Sequence, residues 1–300
     1  MDYSFPRYLL SKQSVDDRAL NRTVLDAMKS SLPNGRHIQV VEVGAGIGTM
    51  LARLLRWNIL PPSVDYTLVD EMPENILFAR RWLPEWAVQN GYQVETLTDD
   101  NVRLYAPASG VIVHFVQADV FDFIRSQPPG ADLLIAHAFL DLLPLPESLS
   151  KLFSLVKPGG LAWLTINFDG MTTFEPVVDP TLDAQIEILF HITMDERTAN
   201  GVRSGDSQSG RHLFGYLQAN RVELLASGAS DWVVHPINKR YPADEAYFLN
   251  FILYFFEQSL TGCPELESTA FAHWLAERRA QVERGELVYI AHQLDFLVRV

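Results

Sequence analysis

With 300 residues, 48% of them hydrophobic and 20% charged, the chain has the composition of a globular enzyme and room for one large domain with insertions or two smaller ones. Its formal net charge of −13 and pI near 5.0 repel phosphate backbones, so nucleic acid is excluded as an expected partner, and the densest cationic run, Glu277-Arg278-Arg279, reads as a solvated helix face. The single cysteine, Cys263, excludes an internal disulfide and a cysteine-based zinc site.

Met1-Asp2-Tyr3-Ser4 shows no basic segment leading into an apolar one, so no signal peptide is expected. The longest apolar stretch, 246–256, is interrupted by Asn250 and falls short of the roughly 20 residues that span a bilayer. A cytoplasmic location without a membrane partner follows as the expectation. Neither repeats nor low-complexity segments occur.

In chain order, a helix is predicted over 14–32, with Ser14 and Asp17 as a capping pair and Leu20, Val24, Leu25, Met28 and Leu32 on one face. Asn34-Gly35 ends it in a turn. From residue 37 the periodicity changes to alternating strand and helix: a strand at 37–43, a glycine loop, a helix at 49–57, a strand at 66–70, and a helix opened by Pro73 and running to about Trp82. Residues 92–97 and 102–105 read as a hairpin inserted before the third strand, 111–117. A fourth strand at 133–136, a helix at 147–156 and a fifth strand at 161–167 complete the regular part. Strands alternating with helices of this length imply a parallel sheet covered on both faces.

The second half is less regular. Helices are expected at 179–191, 211–219, 244–260 and 268–284, with a polar loop at 197–210 and strands at 222–225, 232–234 and 287–298. The helix carrying Tyr247, Phe248, Phe251, Tyr254, Phe255 and Phe256 has aromatic rings on nearly every side, the pattern of a buried helix.

One segment carries the chemistry: Val40-Val41-Glu42-Val43-Gly44-Ala45-Gly46-Ile47-Gly48-Thr49. A strand enters a glycine turn that opens a helix, and glycine is needed where backbone takes positive φ or approaches a ligand closely. A dinucleotide fingerprint beginning at Gly44 requires glycine at position 49, which is Thr49 here, and the absence of a Lys-Ser/Thr pair excludes a P-loop. The pattern resembles the first motif of class I, Rossmann-like S-adenosylmethionine-dependent methyltransferases. Leu68-Val69-Asp70, Gln117-Ala118-Asp119, Ala131 to His137 and Leu155-Val156-Lys157-Pro158-Gly159-Gly160 fall where that family places its later motifs, so the resemblance covers about 37–170.

The resemblance implies that Gly44, Ala45, Gly46 and Gly48 approach the methionine part of the cofactor, that Asp70 (or its neighbour Glu71) receives the ribose hydroxyls, and that Asp119, after Ala118, meets the adenine amine. Bland readings stand beside these: Asp70 and Asp119 as helix caps, and Glu42 as a satisfied polar residue fixing the glycine loop instead of facing cofactor. His137 ends the fourth strand at the carboxyl edge, where open α/β sheets bind ligands. It is the candidate general base, with Asp141 to orient it; the competing reading has the main chain at Ala136 and His137 hold the cofactor while the ring packs. His191, Asp195, Glu196, Arg211 and His212 around the polar loop, and Arg7, Tyr8 and Lys12 near the N-terminus, read as surface.

The expected fold is α/β: a mostly parallel seven-stranded Rossmann-like methyltransferase sheet with helices on both faces, the last strand antiparallel beside the fifth. Residues 1–35 form an N-terminal cap segment and 36–300 the main domain, with helical cap insertions at 169–210 and 236–285. The expected function is S-adenosylmethionine-dependent methyl transfer to oxygen or nitrogen of a small-molecule acceptor, with no metal. The rivals are an NAD-dependent oxidoreductase and a non-catalytic S-adenosylmethionine-binding protein.

Overall fold

A short helix, α1 (Phe5–Ser11), comes first, and the helix expected over 14–32 is broken into two, α2 (Gln13–Ala19) and α3 (Arg22–Ser31). Leu20 and Asn21 leave the helical region, and the Asn21 side chain accepts a hydrogen bond from the Val24 amide at 3.1 Å, starting α3 afresh. Ser14 and Asp17 are not a capping pair: the Ser14 hydroxyl donates to Glu245, and Asp17 accepts from Arg53 and Arg56. The computed structural model describes residues 3–300 except Asn34, Ala108 and Asn200, so part of the turn expected at Asn34-Gly35 lies outside the described residues, as do Met1 and Asp2.

β1 (Ile38–Val43), α4 (Thr49–Arg56), β2 (Ser63–Asp70) and α5 (Pro73–Gln89) follow in the expected order. α5 runs beyond Trp82, with Pro84 inside it, because Ile76, Ala79, Leu83 and Ala87 keep one face buried. The hairpin β3 (Gln93–Thr98) and β4 (Asn101–Ala106) precedes β5 (Ser109–Gln117); then come α6 (Val120–Ser126), β6 (Ala131–His137), a 3-10 turn at Leu140–Leu142, α7 (Glu147–Phe153) and β7 (Val156–Glu175). β7 does not stop near Asn167, because its far half has its own partner: Thr172, Thr173, Phe174 and Glu175 pair with Ala291, Ile290, Tyr289 and Val288.

The remaining elements are α8 (Pro180–Asp195), β8 (Thr198–Ala199), β9 (Val202–Arg203), α9 (Ser209–Ala219), β10 (Glu223–Ala229), β11 (Trp232–Val234), α10 (Glu245–Leu260), α11 (Ser268–Glu283) and β12 (Val288–Arg299). The two short strands β8 and β9 pair within the stretch expected to be loop.

Among the described residues the main sheet runs β10-β12-β7-β6-β1-β2-β5-β4-β3, with β11 pairing with β12 off that path. Its core, β5-β2-β1-β6-β7, is parallel, and β12 enters antiparallel between β7 and β10. The expected seven strands are therefore present in the expected sense, lengthened at one edge by the β3–β4 hairpin.

Helices cover both faces. α3, α4, α5 and α10 pack on one side around Leu54, Leu83, Phe248 and Trp163, and α6, α7 and α9 pack on the other around Phe123, Leu152 and Leu213. α10 is core, as its rings imply: Phe248 and Phe256 are fully buried, Phe251 stacks on Tyr8 at 4.5 Å and Phe256 on Phe190 at 3.8 Å. Each such ring contributes about 1.5–3 kcal/mol by leaving water. No described helix is long and apolar enough to cross a membrane.

Candidate active site

From β1 the chain proceeds to β2 and β5 on one side, then returns to place β6 on the other side of β1. Connections therefore leave β1 and β6 in opposite directions at their carboxyl ends, and a crevice opens at such a switch point. Val43, the last residue of β1, pairs with Ala136 of β6 there.

The glycine loop follows at once. Gly44, Gly46 and Gly48 have φ of 61°, 55° and 83°, a left-handed conformation that costs other residues about 1–2 kcal/mol each. The Ala45 amide donates to the Val69 carbonyl at 3.0 Å and the Gly46 amide to Asp70 Oδ2 at 2.7 Å, so the loop is clasped to the end of β2. A Cβ on Gly44 would meet the Phe139 ring at 2.2 Å, and one on Gly46 would meet Leu9 Cδ1 at 2.8 Å. The loop backbone is thus covered by two side chains, one from the segment after β6 and one from α1.

Asp70 is buried and accepts at both oxygens. Besides Gly46, it accepts from the Met72 amide at 2.9 Å and from Asn75 Nδ2 at 3.0 Å, both at Oδ1. Burial pushes its carboxyl up from the ordinary range, and the hydrogen bonds from Asn75, Met72 and Gly46 pull it back. Glu71 beside it is exposed. The Ala118 amide donates to the Asp70 carbonyl at 3.1 Å, which brings the ends of β2 and β5 together. Asp119 Oδ1 caps α6, accepting from Phe121 at 2.8 Å and Asp122 at 3.0 Å. Glu42 lies inside β1, buried, and accepts from the Tyr66 hydroxyl at 2.8 Å; burial raises its carboxyl to about 8. Its carboxyl is thus satisfied within the protein, two residues before Gly44.

His137 is buried at the end of β6, and both ring nitrogens are occupied. Nδ1 lies 2.8 Å from Thr165 Oγ1 and Nε2 lies 3.0 Å from Asp16 Oδ2. Asp141 is not the carboxylate that orients it; that group is Asp16, from α2. Asp16 has no solvent exposure, accepts from Trp232 Nε1 at 2.9 Å, and faces Lys12 Nζ at 3.3 Å and Arg53 Nη2 at 3.7 Å. Burial pushes the Asp16 carboxyl up, but Lys12, His137 and Arg53 overcome it and hold the group well below the usual carboxylate range. Burial drives His137 down to about 4 against the pull of Asp16. The imidazole is therefore neutral near pH 7, with Nε2–H donating to Asp16 and Nδ1 accepting from Thr165 (an assignment made from the network). Asp141 lies in the 3-10 turn, where burial raises its carboxyl and Arg197 opposes the rise.

The residues expected to be surface divide. Arg7 pairs with Asp244 and Arg211 with Asp169, while His191 lies against Thr172. Tyr8 and Lys12 are buried, contrary to expectation, because α1 and α2 fold onto α10 and β11. Asp195 and His212 line a cavity of about 470 Å³ together with Arg203, Asp206, Ser207 and Tyr216; Pro144 and Leu145, from the segment after β6, form its apolar wall. Asp16 was legible as a charge on the apolar face of its helix, four residues before Leu20 and eight before Val24. Phe139 carries no such signal.

No protein-family model matches this chain, and no curated protein matches it. Solved structures with a related arrangement include an S-adenosylmethionine-dependent methyltransferase from Thiobacillus denitrificans in complex with S-adenosyl-L-homocysteine. It is 14% identical, with a TM-score of 0.48, over 99% of this chain and 99% of that one. A second, from Geobacter sulfurreducens and also in complex with S-adenosyl-L-homocysteine, is 12% identical, with a TM-score of 0.44 over 98% of each chain. The cyclopropane synthase MmaA2 from Mycobacterium tuberculosis is 10% identical, with a TM-score of 0.46, over 98% of this chain and 95% of that one.

Proposed function

We propose that this chain is an S-adenosylmethionine-dependent methyltransferase whose acceptor is a small molecule methylated at oxygen or nitrogen. The observation that carries the reading is the trio of left-handed glycines at the switch point, clasped to a carboxylate at the end of β2. The residues suit the donor in kind. Gly44 and Gly46 leave backbone open to close approach once Phe139 and Leu9 turn aside, and both obstacles are rotatable side chains, not main chain.

In this reading Gly44, Ala45, Gly46 and Gly48 receive the amino-acid part of the donor, Asp70 with Glu71 the ribose, and Ala118 and Asp119 the adenine. Ala136 and His137 contribute main chain. Bound there, S-adenosylmethionine supplies a methyl group already activated on a sulfonium. The protein's task is to hold donor and acceptor in line and exclude water, worth on the order of 7–11 kcal/mol of a barrier. α1 and α2, which bring Leu9 over Gly46 and Asp16 to His137, act as the cap, while α3 and α10, expected there, belong to the layer on the sheet. His137, saturated by Asp16 and Thr165, is a positioning residue that fixes the end of β6 instead of accepting a proton.

A binding protein without turnover is the second reading; the saturated His137, which leaves no base at the end of β6, favours it. Calorimetric titration of the full chain with S-adenosylhomocysteine and, separately, NADH tests the cofactor. Binding of the homocysteine analogue alone, weakened at least tenfold in Asp70→Ala, is expected; binding of NADH alone makes the chain an NAD-dependent oxidoreductase. Transfer of labelled methyl from S-adenosylmethionine to a small hydroxy or amino compound separates the enzyme from the binder.

A further inference from the structure

The cavity beside the segment after β6 contains a His–Asp pair of its own. His212 Nδ1 lies 2.7 Å from Asp206 Oδ2, with side-chain exposures of 44% and 19%. With Nδ1–H donating to Asp206, Nε2 carries a lone pair, and among the described residues it has no partner. The other groups lining the cavity fall into two sets. Both carboxylates are turned to the protein: Asp195 accepts from the Ser207 amide and hydroxyl at 2.8 and 3.1 Å, and Asp206 Oδ1 accepts from the Gln208 amide at 2.9 Å. The donors are open: Arg203 uses Nε on the Asp195 carbonyl at 2.5 Å, leaving both Nη groups without a described partner, as is the Tyr216 hydroxyl.

One short segment links the cavity wall to the cover of the glycine loop. Phe139, over Gly44, and Pro144 and Leu145, on the cavity wall, belong to one segment whose middle is the Leu140–Leu142 turn. A Cβ on Gly205, at the cavity, would lie 3.5 Å from the carbonyl oxygen of Asp141 in that turn. Movement of Phe139 off Gly44 would thus be felt at the cavity wall through a segment of a few residues.

We propose that this cavity is the acceptor subsite, taking a small hydroxy or amino compound that carries a carboxylate or phosphate, and that His212, oriented by Asp206, is its general base. The proposal rests on the methyltransferase reading above. Arg203 holds the anionic group with its paired Nη donors, a geometry suited to planar or tetrahedral oxyanions. The acceptor's O–H or N–H meets His212 Nε2. As that proton passes to the imidazole, the acceptor's electron pair forms the bond to the methyl carbon. The carbon–sulfur bond breaks, its electron pair stays on sulfur, and S-adenosylhomocysteine leaves as a neutral thioether. The imidazolium then releases the proton to solvent, and its exposure allows this. The groups facing His212 are Asp206, Tyr216 and, across the cavity, Arg203 and Asp195.

The test uses the full chain saturated with S-adenosylhomocysteine and a panel of small hydroxy acids, amino acids and their phosphate analogues. The ring nitrogens of ¹⁵N-labelled histidine are followed, with His212→Gln to assign the signal. A compound that shifts His212 Nε2 and loses affinity in Arg203→Met is the expected result. If no member of the panel shifts His212, or if compounds that accept labelled methyl leave it unmoved, the assignment is overturned. Acceptors found by label transfer should lose about 10²–10⁴-fold in turnover in His212→Gln with donor affinity unchanged. Asp206→Asn should alter the pH profile of turnover while leaving folding intact. Failure of the wild-type chain to bind S-adenosylhomocysteine overturns the methyltransferase reading itself. Binding of the analogue with an unresponsive His212 overturns only this subsite.

Discussion

Of the molecule's histidine–aspartate pairs, two are of opposite character. His137 and Asp16, 3.0 Å apart, are buried among Lys12, Arg53, Thr165 and Trp232, with every ring nitrogen used. His212 and Asp206, 2.7 Å apart, border a polar cavity with Nε2 open. A His–Asp pair is therefore not in itself an acid–base device. What decides is whether one nitrogen remains free and whether a proton can leave. In the first pair desolvation ties the imidazole to one state and makes the pair a joint between α2 and β6; in the second, the ring is exposed and Nε2 borders the cavity.

The largest expected effect follows from removing each carboxylate. Asp16→Ala leaves Lys12 a buried cation without its carboxylate, while Arg53 keeps Asp17, and should cost about 3–5 kcal/mol in urea unfolding. Asp206→Ala breaks an exposed pair and should cost less than about 1 kcal/mol. Equal losses would erase the contrast.

The second effect is a pH dependence. The folded value of His137, about 4, lies below the ordinary 6.5, so the unfolded chain takes up a proton first as pH falls. This residue therefore withdraws stability as pH drops from about 6.5 toward 4, by at most about 1.4 kcal/mol per unit. In His137→Gln the amide can still meet Asp16 and Thr165, so its stability should fall less steeply than the wild type over that window. Parallel profiles would show that the imidazole does not titrate on unfolding. A smaller effect than that of Asp16 belongs to Asp119, whose cap of α6 is worth about 1 kcal/mol; Asp119→Ala should lower unfolding stability by that amount, and no loss would mean that the cap is replaced by solvent.

The sheet was legible in the sequence because its signals are local. Runs such as Val40-Val41 and Leu133-Leu134-Ile135 with helical spacers announce buried parallel strands, and the glycine triplet announces a turn with positive φ. Three things were not local. The break at Leu20-Asn21 depends on Asn21 capping α3 while its amide donates to Asp295, a residue 274 positions away. The length of β7 depends on the far end of β12. The partner of His137 was sought at Asp141, four residues on, whereas a strand ending at a sheet edge meets whatever element folds over it, and that is α2. His212 is exposed, as expected, but a polar loop shows its residue types in sequence and not the cavity that they line.

The central claim is that the Gly44–Gly48 loop is a donor site. The most direct test is the crystal structure of the full chain saturated with S-adenosylhomocysteine. The account predicts the ligand along that loop, with Phe139 and Leu9 displaced from Gly44 and Gly46 and the ribose at the Asp70 end of β2. Ligand bound elsewhere, or Phe139 and Leu9 still packed on the glycines in a saturated crystal, would contradict it.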